Sequence, residues 1–238
     1  MANTHRYGFR FLKMRWGGET PEPQTHFISS GYAANTGAAG TGGTAVNLNI
    51  GDPVQLVEGT LAVNTAGAGS VRLLPPGNSD TTDDVADRAY GIVVGFPRVA
   101  INGNIRPNAN YPLGGVTYTS DVNKTLVSVI PVEGAVWEIE VATTSASFDT
   151  IQEYEAIIGS TTDILYTPLT ASTTNIKANP LISLAFTAAN AAFRQVRVLG
   201  VGRLGDQIDY ASASVPLQVV FNQVQTSPFR LIGGLDGA

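Results

Sequence analysis

From Tyr7 to Trp16 apolar and polar residues alternate, with one slip of phase. Tyr7, Phe9 and Phe11 alternate with Arg6, Gly8 and Arg10; Leu12, Met14 and Trp16 then alternate with Lys13 and Arg15. A period of two interrupted by one extra residue predicts an extended strand carrying a bulge or bend. Gly17, Gly18, Pro21 and Pro23 follow, and then a Gly/Ala-rich stretch from Gly37 to Gly43 that cannot build a core. Residues 1–44 therefore read as an extended N-terminal arm and tether. So apolar an arm must be covered. It lies either along its own body as a local edge strand or along a neighbouring molecule.

Beyond the tether the pattern is short strands and turns. Val46, Leu48 and Ile50 alternate, Gly51-Asp52-Pro53 makes a turn, and Val54, Leu56 and Val57 begin the next strand. Glu58-Gly59 turns into Thr60 to Val63, and Val71 to Leu74 and Tyr90 to Phe96 add two more strands. Gly91 and Gly95 interrupt the last of these as at a barrel bend. In the second half Val116 to Tyr118, Thr125 to Pro131, Val136 to Val141, Leu181 to Phe186, Gln195 to Val201 and Leu217 to Val224 read as strands. In Val136 to Val141, Trp137, Ile139 and Val141 face inward, and Glu138 and Glu140 outward. Thr150 with Glu153 fits a capping box for a short helix whose apolar face is Ile151, Tyr154 and Ile158, with Gly159 at C′. Another helical turn is predicted at Ala188 to Phe193. The expected fold is all-β: a small barrel or sandwich body, divisible into β subdomains at 45–130 and 131–226, with a C-terminal tail at 227–238.

Composition sharpens this picture. The 238 residues are 43% hydrophobic and only 14% charged, so Gly, Ser, Thr, Asn and Ala cover much of the surface. Such a surface suits faces packed on neighbours. The net charge of −5 argues against nucleic acid as a partner, because phosphate binding needs a basic surface. The amino end is the exception, where Arg6, Arg10, Lys13 and Arg15 crowd together. The absence of cysteine excludes disulfides, thiolate catalysis and thiolate metal sites. No run approaches a membrane span and no secretory signal opens the chain, which places synthesis in a cytoplasm.

Several segments in order carry a resemblance. They are RYGFRFLKMRWGGETPEP (6–23), NIGDPVQL (49–56), EGTLAV (58–63), YGIVVGF (90–96), SVIPVEGAVWEIEVAT (128–143) and RQVRVLGVGRLGDQ (194–207). Their succession over most of the chain resembles the capsid decoration (cement) proteins of tailed bacteriophages. The resemblance implies a non-enzymatic virion protein, made in the host bacterial cytoplasm, that binds the outside of an icosahedral head. It implies the major capsid protein as partner, self-association as a homotrimer at threefold positions, and no cofactor or small-molecule substrate. The docking residues expected from the arm are Arg6, Tyr7, Phe9, Arg10, Phe11, Lys13, Arg15 and Trp16. Aromatic anchors fill pockets on the partner, and the cations steer them to an acidic shell.

Residues with catalytic or metal-binding chemistry each have a plainer explanation. Gly200-x-Gly202-x-x-Gly205 is a literal dinucleotide fingerprint, but no apolar-periodic helix follows it, so it reads as a turn between strands. Glu138 and Glu140 share a strand face, with Trp137 on the other, which fits a solvated or interface-facing surface better than a glycosidase pair. Asp80, Asp83, Asp84 and Asp87 lack EF-hand spacing and read as a solvated loop, with bound calcium as the alternative. His5 and His26, the only histidines, both fall in the arm, a poor platform for a zinc site or a triad. Two rival functions remain: a phage tail or receptor-binding β-module that recognises carbohydrate, and, with least support, a β-fold polysaccharide hydrolase.

Overall fold

The computed structural model describes residues 8–28, 48–57, 70–74, 88–101, 104–106, 110–111, 126–141, 150–166, 180–182, 194–202, 215–222 and 224–225. Within them the fold is all-β, with one short helix. The strands are β1 (Arg10–Met14), β2 (Gln24–Ile28), β3 (Leu48–Asn49), β4 (Pro53–Val57), β5 (Ser70–Leu73), β6 (Gly91–Ile101), β7 (Asn104–Arg106) and β8 (Asn110–Tyr111). They continue as β9 (Leu126–Pro131), β10 (Ala135–Glu140), β11 (Thr161–Thr162), β12 (Ile164–Tyr166), β13 (Pro180–Ile182), β14 (Val196–Val201) and β15 (Pro216–Phe221). The helix α1 (Ile151–Ala156) lies between β10 and β11.

Two sheets dominate. The open sheet runs β1-β10-β15-β14-β11 and is antiparallel throughout. The second runs β4-β5-β2-β9-β6-β7 and curls until β4 also pairs with β6, making a small barrel. Within it β2 runs parallel to β5 and antiparallel to β9. The expected bend in β6 is present as register shifts at Val93/Gly95 and Gly95/Arg98. Two further pairs, β3 with β8 and β12 with β13, complete the described strands.

Alternation along the barrel strands feeds two cores. Val93 on β6 and Val127 and Val129 on β9 fill the barrel with Leu48, Val54, Val71, Leu73, Tyr90 and Phe96. Their neighbours Ile92 and Ile130 face the other way and join Phe9, Trp137, Ile139, Tyr154, Val198, Leu217, Val219 and Phe221 between the barrel and the open sheet. Strands buried on both faces lose the polar half of their pattern, which is why these segments read as nearly continuous apolar runs.

The described part of the expected arm, residues 8–28, does not stand apart from the body; the Gly/Ala-rich tether from Gly37 to Gly43 lies outside the described residues. β1 joins the open sheet through β10, and β2 sits between β5 and β9 in the barrel. The apolar surface of the arm is therefore covered, for Phe9 and Phe11, by its own molecule. Strands from 48 to 131 supply the rest of the barrel and strands from 135 to 221 the rest of the open sheet, while the core between them is common to both.

The entry of the N-terminal segment depends on two glycines in contact. Phe9 N–H donates to Gly51 O at 2.8 Å, and a Cβ on Gly8 would lie 2.6 Å from the Gly51 carbonyl carbon. Gly51 itself has φ +94°, the left-handed conformation that L side chains resist.

The helix forms with its capping box in place: Thr150 N–H and Oγ1–H both donate to Glu153 Oε2 at 3.0 Å. Its buried face differs from the expected one. Tyr154 and Ile157 are buried, while Ile151 and Ile158 are exposed. With fewer than two turns, the helix leans on the sheet by its last turn. Gly159, expected at C′, stands one position further on, because the C-cap is Ile157, and its N–H donates to Val198 O at 2.9 Å, returning the chain to the sheet. The strands expected at Thr60 to Val63 and Val116 to Tyr118, the helical turn at Ala188 to Phe193 and the tail at 227–238 lie outside the described residues.

Candidate protein-docking edge

β1 occupies the end of the open sheet, so among the described residues no strand pairs with its outer side. Its inner side is registered on β10, with Arg10 opposite Glu138, Phe11 opposite Trp137, Lys13 opposite Val136 and Met14 opposite Ala135. The register shifts between Phe11 and Lys13, which makes Leu12 the extra residue. This bulge is the phase slip of the sequence. It keeps Met14 against the core and leaves Leu12 39% exposed.

The eight residues expected to dock therefore divide. Phe9 is buried with its ring centroid 5.0 Å from that of Phe221. Phe11 meets Trp137 edge to face at 5.6 Å. Each such aromatic contact contributes about 0.5–1.5 kcal/mol beyond the area it buries. These two rings anchor β1 to its own body. Arg10 binds the Glu138 carboxylate across the ladder, and its own side chain is 47% exposed. Lys13, Arg15 and Trp16 remain exposed. Arg15 N–H donates to Gly134 O at 2.7 Å, fixing the strand end on the β9–β10 turn, and its guanidinium carbon lies 4.6 Å from the Trp16 ring centroid. Trp16 is 78% exposed, the most exposed of the large apolar side chains described. Arg6 and Tyr7 lie outside the described residues.

Glu138 departs from the sequence reading. Its carboxylate is buried, not solvated, between Arg10 and the backbone of Gly202. A Cβ on Gly202 would lie 2.7 Å from Glu138 Oε2 and 2.9 Å from Pro216 Cβ, so the glycine makes room for the acid. Strand alternation alone assigns Glu138 to the outer face but carries no information about what covers that face. Glu140 stands opposite Pro216 in the ladder, and its side chain lies outside the described residues.

The remaining chemistry falls into structural roles where it is described. Gly200 sits at a register shift between β14 and β15, and Gly202 N–H donates to Pro216 O at 2.7 Å. An antiparallel ladder of this kind is not the strand-to-helix turn of a dinucleotide site. Gly205, His5, Asp80, Asp83, Asp84 and Asp87 lie outside the described residues. His26 belongs to β2 and is buried with its ring edge-on to Tyr90 at 5.2 Å, so it is held in the barrel and not in a tether. Among the described residues no three His, Cys, Asp or Glu side chains are placed to hold a metal, and no helix is long and apolar enough to cross a membrane.

Two polar arrangements had no signal in the sequence. Asp163 binds Arg194 and accepts from Gln195 N–H at 3.3 Å, while Gln195 Oε1 accepts from Ile164 N–H at 3.0 Å. Gln225 spans the barrel seam, its side-chain amide bonded to both backbone groups of Leu56. Single polar residues between apolar runs look alike in sequence whether they face water or span two strands.

No family model, curated protein or solved structure matches this chain.

Proposed function

We propose that this chain is a structural virion protein, a capsid decoration or cement protein that binds the outer surface of a phage head and links neighbouring capsid subunits. The proposal starts from the resemblance in the order of sequence segments. The observation that carries it to a surface is the exposed Trp16, stacked on Arg15 at the end of a sheet edge with which no strand among the described residues pairs. Main-chain groups on an open edge supply hydrogen bonds to an added strand, Trp16 supplies an aromatic anchor, and Lys13 and Arg15 supply charge against an acidic shell. Phe9 and Phe11 hold the edge in place from behind. Repetition over a closed lattice multiplies individually weak contacts through effective concentration. On this reading the protein is made in the bacterial cytoplasm, joins the virion, and acts as a homotrimer with the major capsid protein as partner. No cofactor or substrate enters its action.

The test is rebinding to shells stripped of the protein. Trp16→Ser combined with Lys13→Glu and Arg15→Glu should leave the melting temperature nearly unchanged and lower occupancy at least about tenfold, since a central aromatic anchor contributes 2 kcal/mol or more. Full occupancy by this variant removes the edge from the mechanism. The same exposed Trp16 favours one second reading, a β-module that stacks on carbohydrate. Saturable glycan binding by the isolated protein, lost in Trp16→Ser, would select that reading.

A further inference from the structure

The barrel is closed by a residue that belongs to neither of its two seam strands. β4 and β6 pair only at Pro53 with Ile92 and Val54 with Gly91, and Tyr90 N–H donates to Val54 O at 2.8 Å. Continued along β4, the same register sets Leu56 against Ala89. These residues do not pair with each other, because Gln225 stands between them. Its backbone N–H donates to Ala89 O at 2.7 Å. Its side-chain amide takes both backbone groups of Leu56: Leu56 N–H donates to Oε1 at 2.6 Å, and Nε2–H donates to Leu56 O at 3.3 Å. Val224 bridges Ala89 in parallel and packs on the core shared by the two sheets.

A primary amide offers the same donor and acceptor as a peptide group, so one side chain here replaces one residue of a strand. Asparagine is a methylene too short to keep that reach, and glutamate lacks the donor. We infer that Gln225 is a latch: the chain leaving the last strand of the open sheet plugs the barrel seam, and the seam opens only when that chain withdraws. Withdrawal frees both backbone groups of Leu56 on the β4 edge, exposes the barrel core at Leu56, and detaches Val224 and Gln225 from Ala89. Opening of the barrel and detachment of Val224 and Gln225 are then one event.

Hydrogen exchange on the full chain tests this. In the wild type, Leu56 and Gln225 amides should exchange through one partial opening, with equal free energies and equal dependence on denaturant. In Gln225→Ala, Leu56 exchange should accelerate about tenfold, the scale of one lost net hydrogen bond, while Val129 on β9 keeps its protection. Unchanged Leu56 protection in Gln225→Ala means that β4 and β6 zip together without the latch and overturns the inference. If that variant does not fold, the wild-type comparison decides alone: different exchange free energies at Leu56 and Gln225 overturn it equally.

Discussion

Glu138 and Arg10 show what a single charged pair does at a sheet edge. The acid is buried and the base half exposed, so solvent screens their attraction, yet removing the base leaves a carboxylate in a dry place. Arg10→Ala should lower stability by about 1–3 kcal/mol, seen as a lower urea midpoint. Replacing both partners, Arg10→Met with Glu138→Leu, should cost less than Arg10→Ala alone, because no unpaired charge remains. Gly8 makes a stricter demand. A methyl group there meets the Gly51 backbone, which has no rotamer to change, so Gly8→Ala should cost about 2–3 kcal/mol in the same measurement. Tyr90 gives the barrel an alkaline limit. Burial raises its pKa above the usual 10.0, so the neutral phenol favours the folded state. That contribution is complete below pH 10 and is lost as pH rises through the folded-state value. A urea midpoint followed from pH 8 to 11 should fall more steeply in the wild type than in Tyr90→Phe.

At the scale of elements, β1 is the strand most directly legible in sequence and the one whose role changed most. Its alternation, its bulge at Leu12 and its extended conformation all follow from the residues between Phe9 and Trp16. Its partner does not: period two specifies a strand with an apolar side and is silent on whose apolar surface will meet it. Phe221 and Trp137 of the same chain provide that surface. The capping box at Thr150 and the bend in β6 were readable for the same local reason. β2 was not, because Gln24, Thr25 and His26 follow two prolines and lack alternation; its place is fixed by β5 and β9, which are distant in sequence. The distinction changes the experiment. Deleting residues up to Trp16 removes two rings from the core, so the truncated protein should melt at a markedly lower temperature in calorimetry. Loss of shell binding by that truncation would then report instability and not docking, which is why side-chain changes at Lys13, Arg15 and Trp16 are the cleaner probe.

At the scale of the molecule, the two sheets are interlaced in both directions. The N-terminal segment gives one strand to each, and the segment after β15 returns to the barrel seam. Residues 45–130 alone lack β2, which sits between β5 and β9, and residues 131–226 alone lack β1. Neither fragment should fold by itself, and amide dispersion in NMR spectra of the separate fragments would show it. The full chain should melt in one transition.

Arg10 and its partner Glu138 are 128 positions apart in the chain. During translation the ribosome must therefore add 128 residues after Arg10 before β1 has its partner strand β10 to pair with. Through that interval Phe9 and Phe11 travel without the Phe221 and Trp137 rings that later cover them, the kind of segment that seeds aggregation in a crowded cell. High-level expression will depend on how well the host's chaperones shelter this leading segment.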